Sequence, residues 1–496
     1  MQAVEPSHVS TGVAGLDYVL NGGLTPERLY LVEGTPGTGK TTLGLGFLLT
    51  GAAAGQVGLY VTLAETEVEL LAVAQTHGWS LDPITIFEMV PADGLGDDQE
   101  QTLLHPSEVE LGETVRAIMA KVDELRPTHV VIDSLSELRL LAQSPIRYRR
   151  QILALKHFFS TRKCTVIVLD DKSGTGNDLQ LHSIAHGVIA LEQTLSGFGA
   201  QRRRLHVVKM RGVRYRGGYH DFEIERGGLS VYTRLTAADH ATENELEFVS
   251  TGSEPFDALL GGGLVRGTAT LLTGPAGVGK TTTTVQCMMA ALRRGENAAY
   301  FLFDERAPTL LARSKALGMD LQPYLDSGQL ALRAIDPAEL SPGEFAATVR
   351  TAVEDDAARI IVIDSLNAYL QSMPSEQFLM LQMHELLTYL GQRGVVSLLI
   401  LGMHGILGDV RADIDLSYLA DTAVQLRYFE AFGAVRQAIS VIKTRTARHE
   451  RTMREFRIGE GGIQFGEPLA SFQGVLSGAP VFSGEGKALL AHAART

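Results

Sequence analysis

The sequence predicts an α/β protein made of two tandem domains, each a mostly parallel β-sheet with helices on both faces. Three observations predict it. The pattern G-x-x-x-x-G-K-[ST] occurs twice, at Gly34–Thr41 and at Gly274–Thr281. Sliding the chain by 240 residues aligns Val9–Thr42 with Val249–Thr282 without a gap. Short apolar, β-branched runs alternate with longer amphipathic stretches, as strands buried on both faces alternate with crossover helices.

The elements follow in order. An apolar run, Leu29–Glu33, reads as a strand that delivers the first loop, Gly34, Gly37, Thr38, Gly39, Lys40, Thr41 and Thr42. Ala269–Thr273 delivers the second, Gly274, Gly277, Val278, Gly279, Lys280, Thr281 and Thr282. In such a loop the glycines let backbone N–H groups point inward at phosphate oxygens. The lysine neutralises phosphate charge, and the Thr hydroxyl is a Mg²⁺ ligand. Two copies in equivalent places imply two nucleoside triphosphate sites. Further along the first repeat come a strand at 57–62, a helix over 67–77 and a strand over 128–133. A helix over 148–160 and a strand over 165–169 complete the alternating part. Pro106 followed by Ser107-x-x-Glu110 reads as a capping box. Runs at 204–210 and 219–224, joined through glycine, predict an antiparallel end to the sheet.

Identities return near the repeat ends, with Lys209/Lys443, Arg211/Arg445 and Phe222/Phe456 at an offset of 234. Duplication of this kind fixes architecture. It divides the chain into domains at 1–240 and 241–470, with a tail over 471–496.

The composition is that of a globular protein, 45% hydrophobic and 20% charged. A net charge of −13 argues against a general nucleic-acid binder, which needs concentrated positive surface. The two cysteines, Cys164 and Cys287, lie one in each half and are too few for a four-cysteine zinc site. No apolar stretch is long enough to span a bilayer and the N-terminus has no signal pattern, so a reducing cytoplasm is the expected location.

A phosphate loop needs an acid at a nearby strand end to organise Mg²⁺. Val130-Val-Ile-Asp133 and Ile361-Val-Ile-Asp364 supply one each, so Thr41 with Asp133 and Thr281 with Asp364 are the predicted metal ligands. Hydrolysis also needs a group that orients or deprotonates water. Glu65 ends the run after the loop helix in the first repeat, and Asp304-Glu305 ends it in the second, which makes all three candidate catalytic residues.

The combination S-T-G…D…L-x-G-G, phosphate loop, strand ending in Glu, V-I-D-S-L, and K-x-R resembles the RecA-type ATPases. In its duplicated form it is similar to the KaiC family of circadian clock proteins, over about residues 8–480. The resemblance implies tandem RecA-like domains, two stacked six-subunit rings of this chain, and ATP with Mg²⁺ at subunit interfaces. It implies ATPase activity in the first domain and serine autokinase activity in the second. It also implies that Lys209 and Arg211, and Lys443 and Arg445, reach across to a neighbour's γ-phosphate. Two departures stand out. Where the family has paired glutamates the first repeat reads Ala64-Glu65, and where it has adjacent Ser and Thr this chain reads Ser417-Tyr418. Ser417 is then the one expected phosphorylation site.

His182 and His186, though spaced i, i+4, lack a third ligand and read as core or turn histidines. Competing readings are a RecA- or RadA-like DNA-repair ATPase and a scaffold whose ATP is scarcely hydrolysed. Nucleic acid and membrane partners are not expected, and partners other than the chain itself are not specified.

Overall fold

The computed structural model describes residues 8–89, 106–142, 144–172, 179–194, 199–235, 247–371, 376–403, 418–446, 448–475 and 481–482. The chain forms two compact units, residues 1–234 and 235–496.

Nine strands of the first unit are described: β1 (Leu29–Gly34), β2 (Gly58–Thr62), β3 (Thr85–Glu88), β4 (His129–Asp133), β5 (Thr165–Asp171), β6 (Gly187–Thr194), β7 (Arg202–Met210), β8 (His220–Glu225) and β9 (Gly228–Tyr232). They form one sheet in the order β3-β2-β4-β5-β1-β6-β7-β8-β9. Pairing is parallel from β3 through β6 and antiparallel from β6 to β9. The predicted α/β class with an antiparallel end is what the described residues form.

The second unit begins with a ribbon of β10 (Phe248–Val249) and β11 (Leu264–Val265). Its main sheet comprises β12 (Ala269–Gly274), β13 (Asn297–Leu302), β14 (Leu330–Ala334), β15 (Ala358–Asp364), β16 (Val396–Gly402), β17 (Thr422–Ala431), β18 (Ala434–Thr444), β19 (Arg454–Gly459) and β20 (Gly462–Pro468). Their order, β14-β13-β15-β16-β12-β17-β18-β19-β20, repeats that of the first sheet strand for strand. A short hairpin of β21 (Phe472–Gln473) and β22 (Val481–Phe482) follows.

The central strands are mostly apolar because each face meets its own core. Along β1, Tyr30 and Val32 enter one cluster with the phosphate-loop helix Lys40–Ala53, whereas Leu29 and Leu31 enter another with Ile152, Leu155 and Phe159. This period of two inside an unbroken apolar run is the mark of a strand covered on both sides. In β12 Leu272 faces one cluster and Ala269 and Leu271 face the other. The helix Glu67–His77 has the predicted bounds and opens with a capping box between Thr66 and Glu69; Ser341 and Glu344 form another before Pro342–Glu354. The helix Pro106–Leu125 is present, but the side chains of Ser107 and Glu110 lie outside the described set.

The S-T-G…D identities have a structural cause. Asp17 accepts hydrogen bonds from Ser10 Oγ (2.6 Å), Thr11 N (2.8 Å) and Thr11 Oγ1 (2.7 Å). Asp257 accepts the same set from Ser250 and Thr251 at 2.6, 2.7 and 2.6 Å. Each aspartate ties the incoming chain to a short helix. Both cysteines are buried and free, and burial pushes their thiols up to about 11 for Cys164 and about 12 for Cys287, so both pack as core residues.

Candidate active sites

Both Gly-rich loops leave the carboxyl end of the central strand, β1 or β12, and feed a helix. The turn requires left-handed backbone just before the lysine: Gly39 has φ +90° and Gly279 φ +110°, each capping its helix. The first glycine is required by crowding, because a Cβ on Gly274 would lie 2.4 Å from the Leu426 carbonyl oxygen.

In the first unit Thr41 Oγ1 donates to Asp133 Oδ2 at 3.0 Å, and Tyr60 OH donates to the same oxygen at 2.6 Å. In the second, Thr281 Oγ1 and Tyr300 OH donate to Asp364 Oδ2 at 2.8 and 2.9 Å. The predicted hydroxyl–carboxylate pairs are therefore brought together, and in each unit the Asp–Ser bond that follows is cis. Burial pushes both aspartates above the ordinary carboxylate range despite those donors. The carboxylate and the threonine hydroxyl of each pair are hard oxygen groups that fit a hard divalent cation such as Mg²⁺. Among the described residues no group of three or more His, Cys, Asp or Glu side chains could hold a metal by itself. An ion here would complete its shell with phosphate and water oxygens.

The two lysines are held differently. Lys40 donates to the carbonyls of Gly34 (2.9 Å) and Thr35 (3.1 Å) and pairs with Asp171 at 2.8 Å. Lys280 donates to the carbonyls of Gly274 and Pro275, both at 2.8 Å. The strand register puts Asp171 opposite Gly34 but Gly402 opposite Gly274, so the second unit has no carboxylate at that place. Sequence reasoning missed Asp171 because it ended β5 at residue 169, two residues short of its observed end. It also missed Tyr60 and Tyr300. Both stand in otherwise apolar strands at the same 240-residue offset as the loops, and that offset was the available signal.

The candidate carboxylates differ as well. One oxygen of Glu65, Oε2, is buried with no hydrogen-bond partner among the described residues. Burial, reinforced by Asp133, raises its carboxyl above the ordinary range. Asp304 accepts from Ser365 Oγ, while Glu305 takes both Arg313 guanidinium nitrogens at 3.0 and 2.8 Å. Beside the second loop a cleft of about 370 Å³ is lined by Gly277, Gly279, Lys280–Thr282, Arg313, Ala316, Leu317 and Ile458. At the matching wall of the first unit His77 Nε2 lies 3.2 Å from Thr42 Oγ1, and its Nδ1 lies 2.8 Å from the Glu225 carbonyl.

The K-x-R pairs lie at the opposite edge of each sheet. Arg211 N donates to His186 O, and His186 N donates to Leu29 O, so Arg211 is level with the start of β1. Arg445 N donates to Asp421 O, and Asp421 N to Ala269 O, at the start of β12. From there to Gly34 or Gly274 is five residues, roughly 17 Å at about 3.3 Å per residue. Lys209 pairs with Val188 and Lys443 with Ala423, also near that edge. In the first unit Lys156, Arg28, Arg211 and Lys209 all bear on His186. Burial first, then these four cations, lower it to about 4. In the second unit Asp421 stands 3.7 Å from Arg445. Of the two discounted histidines, His182 bonds Glu33 at 2.7 Å. Ser417 lies outside the described residues; its neighbour Tyr418 is exposed, and its carbonyl accepts from Arg445 Nη2 at 3.1 Å. No helix among the described residues is long and apolar enough to cross a membrane.

Comparison with known proteins agrees with this architecture. The family model described as "ATPase: KaiC" matches residues 9–236 and again 249–470. The chain is 26% identical over 484 residues to the circadian clock oscillator protein KaiC of a Picosynechococcus species, covering 95% of this chain and 92% of that protein. It is 23% identical over 483 residues to the circadian clock protein KaiC3 of a Synechocystis species, covering 96% and 95%. With KaiC of Synechococcus elongatus it shares 26% over 482 residues, covering 95% and 91%. Two matched repeats, each with its loop, its strand-end aspartate and its distal K-x-R, leave one conclusion: the chain belongs to the KaiC family of ATPases.

Proposed function

We propose that this protein hydrolyses ATP with Mg²⁺ as a ring of identical subunits, each site being completed by the next subunit. The separation of the K-x-R pairs from the phosphate loop of their own unit carries this reading. An arginine roughly 17 Å below its own Gly34 or Gly274 level cannot meet that site's γ-phosphate, so a part in catalysis requires a neighbour's loop beside that edge. Six subunits is the closure the resemblance implies, and a head-to-tail contact that repeats by rotation closes into a ring.

In this reading Lys40 and Lys280 bind the β/γ-phosphates. Thr41 with Asp133, and Thr281 with Asp364, would hold Mg²⁺, whose positive charge would offset that of the phosphates. Glu65 orients the attacking water and accepts its proton. Its burial and its unpaired oxygen suit it to that task. Lys209 and Arg211, or Lys443 and Arg445, stabilise the transition-state charge from the adjacent chain. Arg211→Ala should reduce hydrolysis while leaving the melting curve unchanged. Light scattering that gave a monomer at saturating Mg·ATP with undiminished turnover would defeat the proposal.

A second activity, serine autophosphorylation in the second unit, is favoured by one contact. Arg445 bonds the carbonyl of Tyr418, so the residue that follows Ser417 lies beside the arginine that, in this reading, meets the neighbour's phosphate. Asp304 or Glu305 would take the Ser417 proton, because a hydroxyl is a weak nucleophile at neutral pH. Tyr418 is longer and more rigid, and its oxygen is expected to overshoot. Mass spectrometry after incubation with Mg·ATP should find phosphate on Ser417 and none on Tyr418. Protein that still hydrolyses ATP yet carries no phosphoserine would remove this activity.

A further inference from the structure

The two units place the same glutamate in opposite circumstances. From Lys40 to Gly78 and from Lys280 to Gly318 the repeats stay in one register of 240 residues, so Glu305 stands where Glu65 stands and Arg313 where Val73 stands. Val73 packs against the core of the first unit, and Glu65 Oε2 has no hydrogen-bond partner among the described residues. Arg313, two turns into the helix Ala307–Ala316, grips both oxygens of Glu305 at 3.0 and 2.8 Å and forms part of the wall of the cleft beside Lys280. A planar guanidinium fork engaging both carboxylate oxygens fixes orientation as well as charge. Asp304, which has Ala64 as its counterpart, is turned instead toward Ser365, next to Asp364. The second unit therefore splits its pair of acids between two walls.

We propose that Arg313 is a positioning residue that holds Glu305 away from the attacking water, so that the second unit hydrolyses ATP more slowly than its loop chemistry allows and relies on Asp304. This rests on the reading of Glu65 and Glu305 as water-directing groups. In the restrained step the water oxygen forms a bond to the γ-phosphorus as the bond to the β-phosphate oxygen breaks. ADP leaves with that electron pair, and the water's proton passes to a carboxylate. A glutamate with both oxygens engaged accepts that proton only after the ion pair opens. For a half-exposed pair that requirement corresponds to about a fivefold restraint on rate.

The test uses full-length protein carrying Lys40→Ala, so that turnover comes from the second unit. Adding Arg313→Val, the first unit's residue, should raise kcat about fivefold with KM little changed, and Arg313→Lys, which cannot fork, should give an intermediate kcat. Combining Arg313→Val with Glu305→Gln should erase the gain. A kcat unchanged or lowered by Arg313→Val in protein with the parent's melting curve overturns the proposal, as does a gain that survives Glu305→Gln. A change confined to KM overturns it too, because it marks Arg313 as a nucleotide contact. Failure of the underlying reading shows elsewhere: Glu65→Gln in Lys280→Ala protein would then leave hydrolysis intact.

Discussion

Asp171→Asn should strengthen nucleotide binding at the first site. Lys40, which in the proposed function engages a phosphate, already holds the Asp171 carboxylate at 2.8 Å, with side chains 9% and 45% exposed. At that distance and an effective dielectric near 20 the bare attraction is about 6 kcal/mol. Water reaching the half-exposed aspartate removes most of it. Exposed pairs contribute about 0–1 kcal/mol and breaking buried ones costs about 3–5 kcal/mol, which brackets this pair near 1–2 kcal/mol. An arriving triphosphate must displace that carboxylate and tolerate its charge nearby. Removing the charge while keeping the shape should therefore tighten binding by roughly five- to thirtyfold. The assay is a titration with a fluorescent ATP analogue at fixed Mg²⁺ and salt, in Lys280→Ala protein so that one site reports. The second unit, with Gly402 in the corresponding place, is the internal reference: Lys40→Ala protein should show no effect of Asp171→Asn. Unchanged affinity would mean that the pair opens at no cost. Weaker binding would mean that Asp171 serves the bound state, through metal or water, and would refute its role as a competitor.

Other consequences are open to direct measurement. Glu65→Gln should remove most hydrolysis by Lys280→Ala protein while sparing ATP binding, and equal loss of both would contradict a water-directing role. Glu455, almost fully buried, accepts from Arg436 Nη1 at 2.6 Å. Glu455→Gln should cost about 3 kcal/mol, read as a lower urea midpoint for the second unit, and an unchanged midpoint would show that the charge is dispensable. His186 has its folded value lowered to about 4 by burial and four cations, so between about pH 6.5 and 4 the unfolded chain binds the proton and the folded one does not. Stability should fall as pH drops through that window. After allowance for solvent screening of a half-exposed group the loss is about 1 kcal/mol, and His186→Asn should abolish it. A pH–stability curve that is identical in the variant would count against that assignment.

The sequence carried the sheet and both loops because those signals are local and doubled. An apolar run, a glycine turn and a strand-end aspartate recur at one offset, and chance does not repeat such a pattern. Thr41 with Asp133 and Thr281 with Asp364 were legible for that reason, and the structure joins each pair. What escaped was side-chain partnership across sequence distance. The strand expected over 165–169 stops short of Asp170 and Asp171 because acids close apolar runs, yet β5 runs on through Asp171 and brings it to the loop lysine, while Asp170 pairs with Arg139. Nothing in the sequence marks a partner for Arg313, and only the fold shows that two helical turns bring it back over Glu305. The inequality of the two sites was visible as Ala64 against Asp304. Its mechanical expression, an unpaired glutamate in one unit and a clamped one in the other, needed coordinates.

The placement of phosphate loop and K-x-R at opposite ends of one sheet also bears on inheritance. If neither end works alone, no chain owns a site, and a defect belongs to a boundary rather than to a polypeptide. On that condition a chain lacking Lys40 would still lend its Arg211 to a neighbour, and a chain lacking Arg211 would still offer its loop. Two inactive populations mixed in equal parts and allowed to exchange subunits would then regenerate about a quarter of the first-unit sites, since each boundary draws its two halves independently. Conversely, a small admixture of doubly defective chains would silence sites on both of its flanks, about twice its own share. A cell making two versions of this protein would read out their mixture and not their sum.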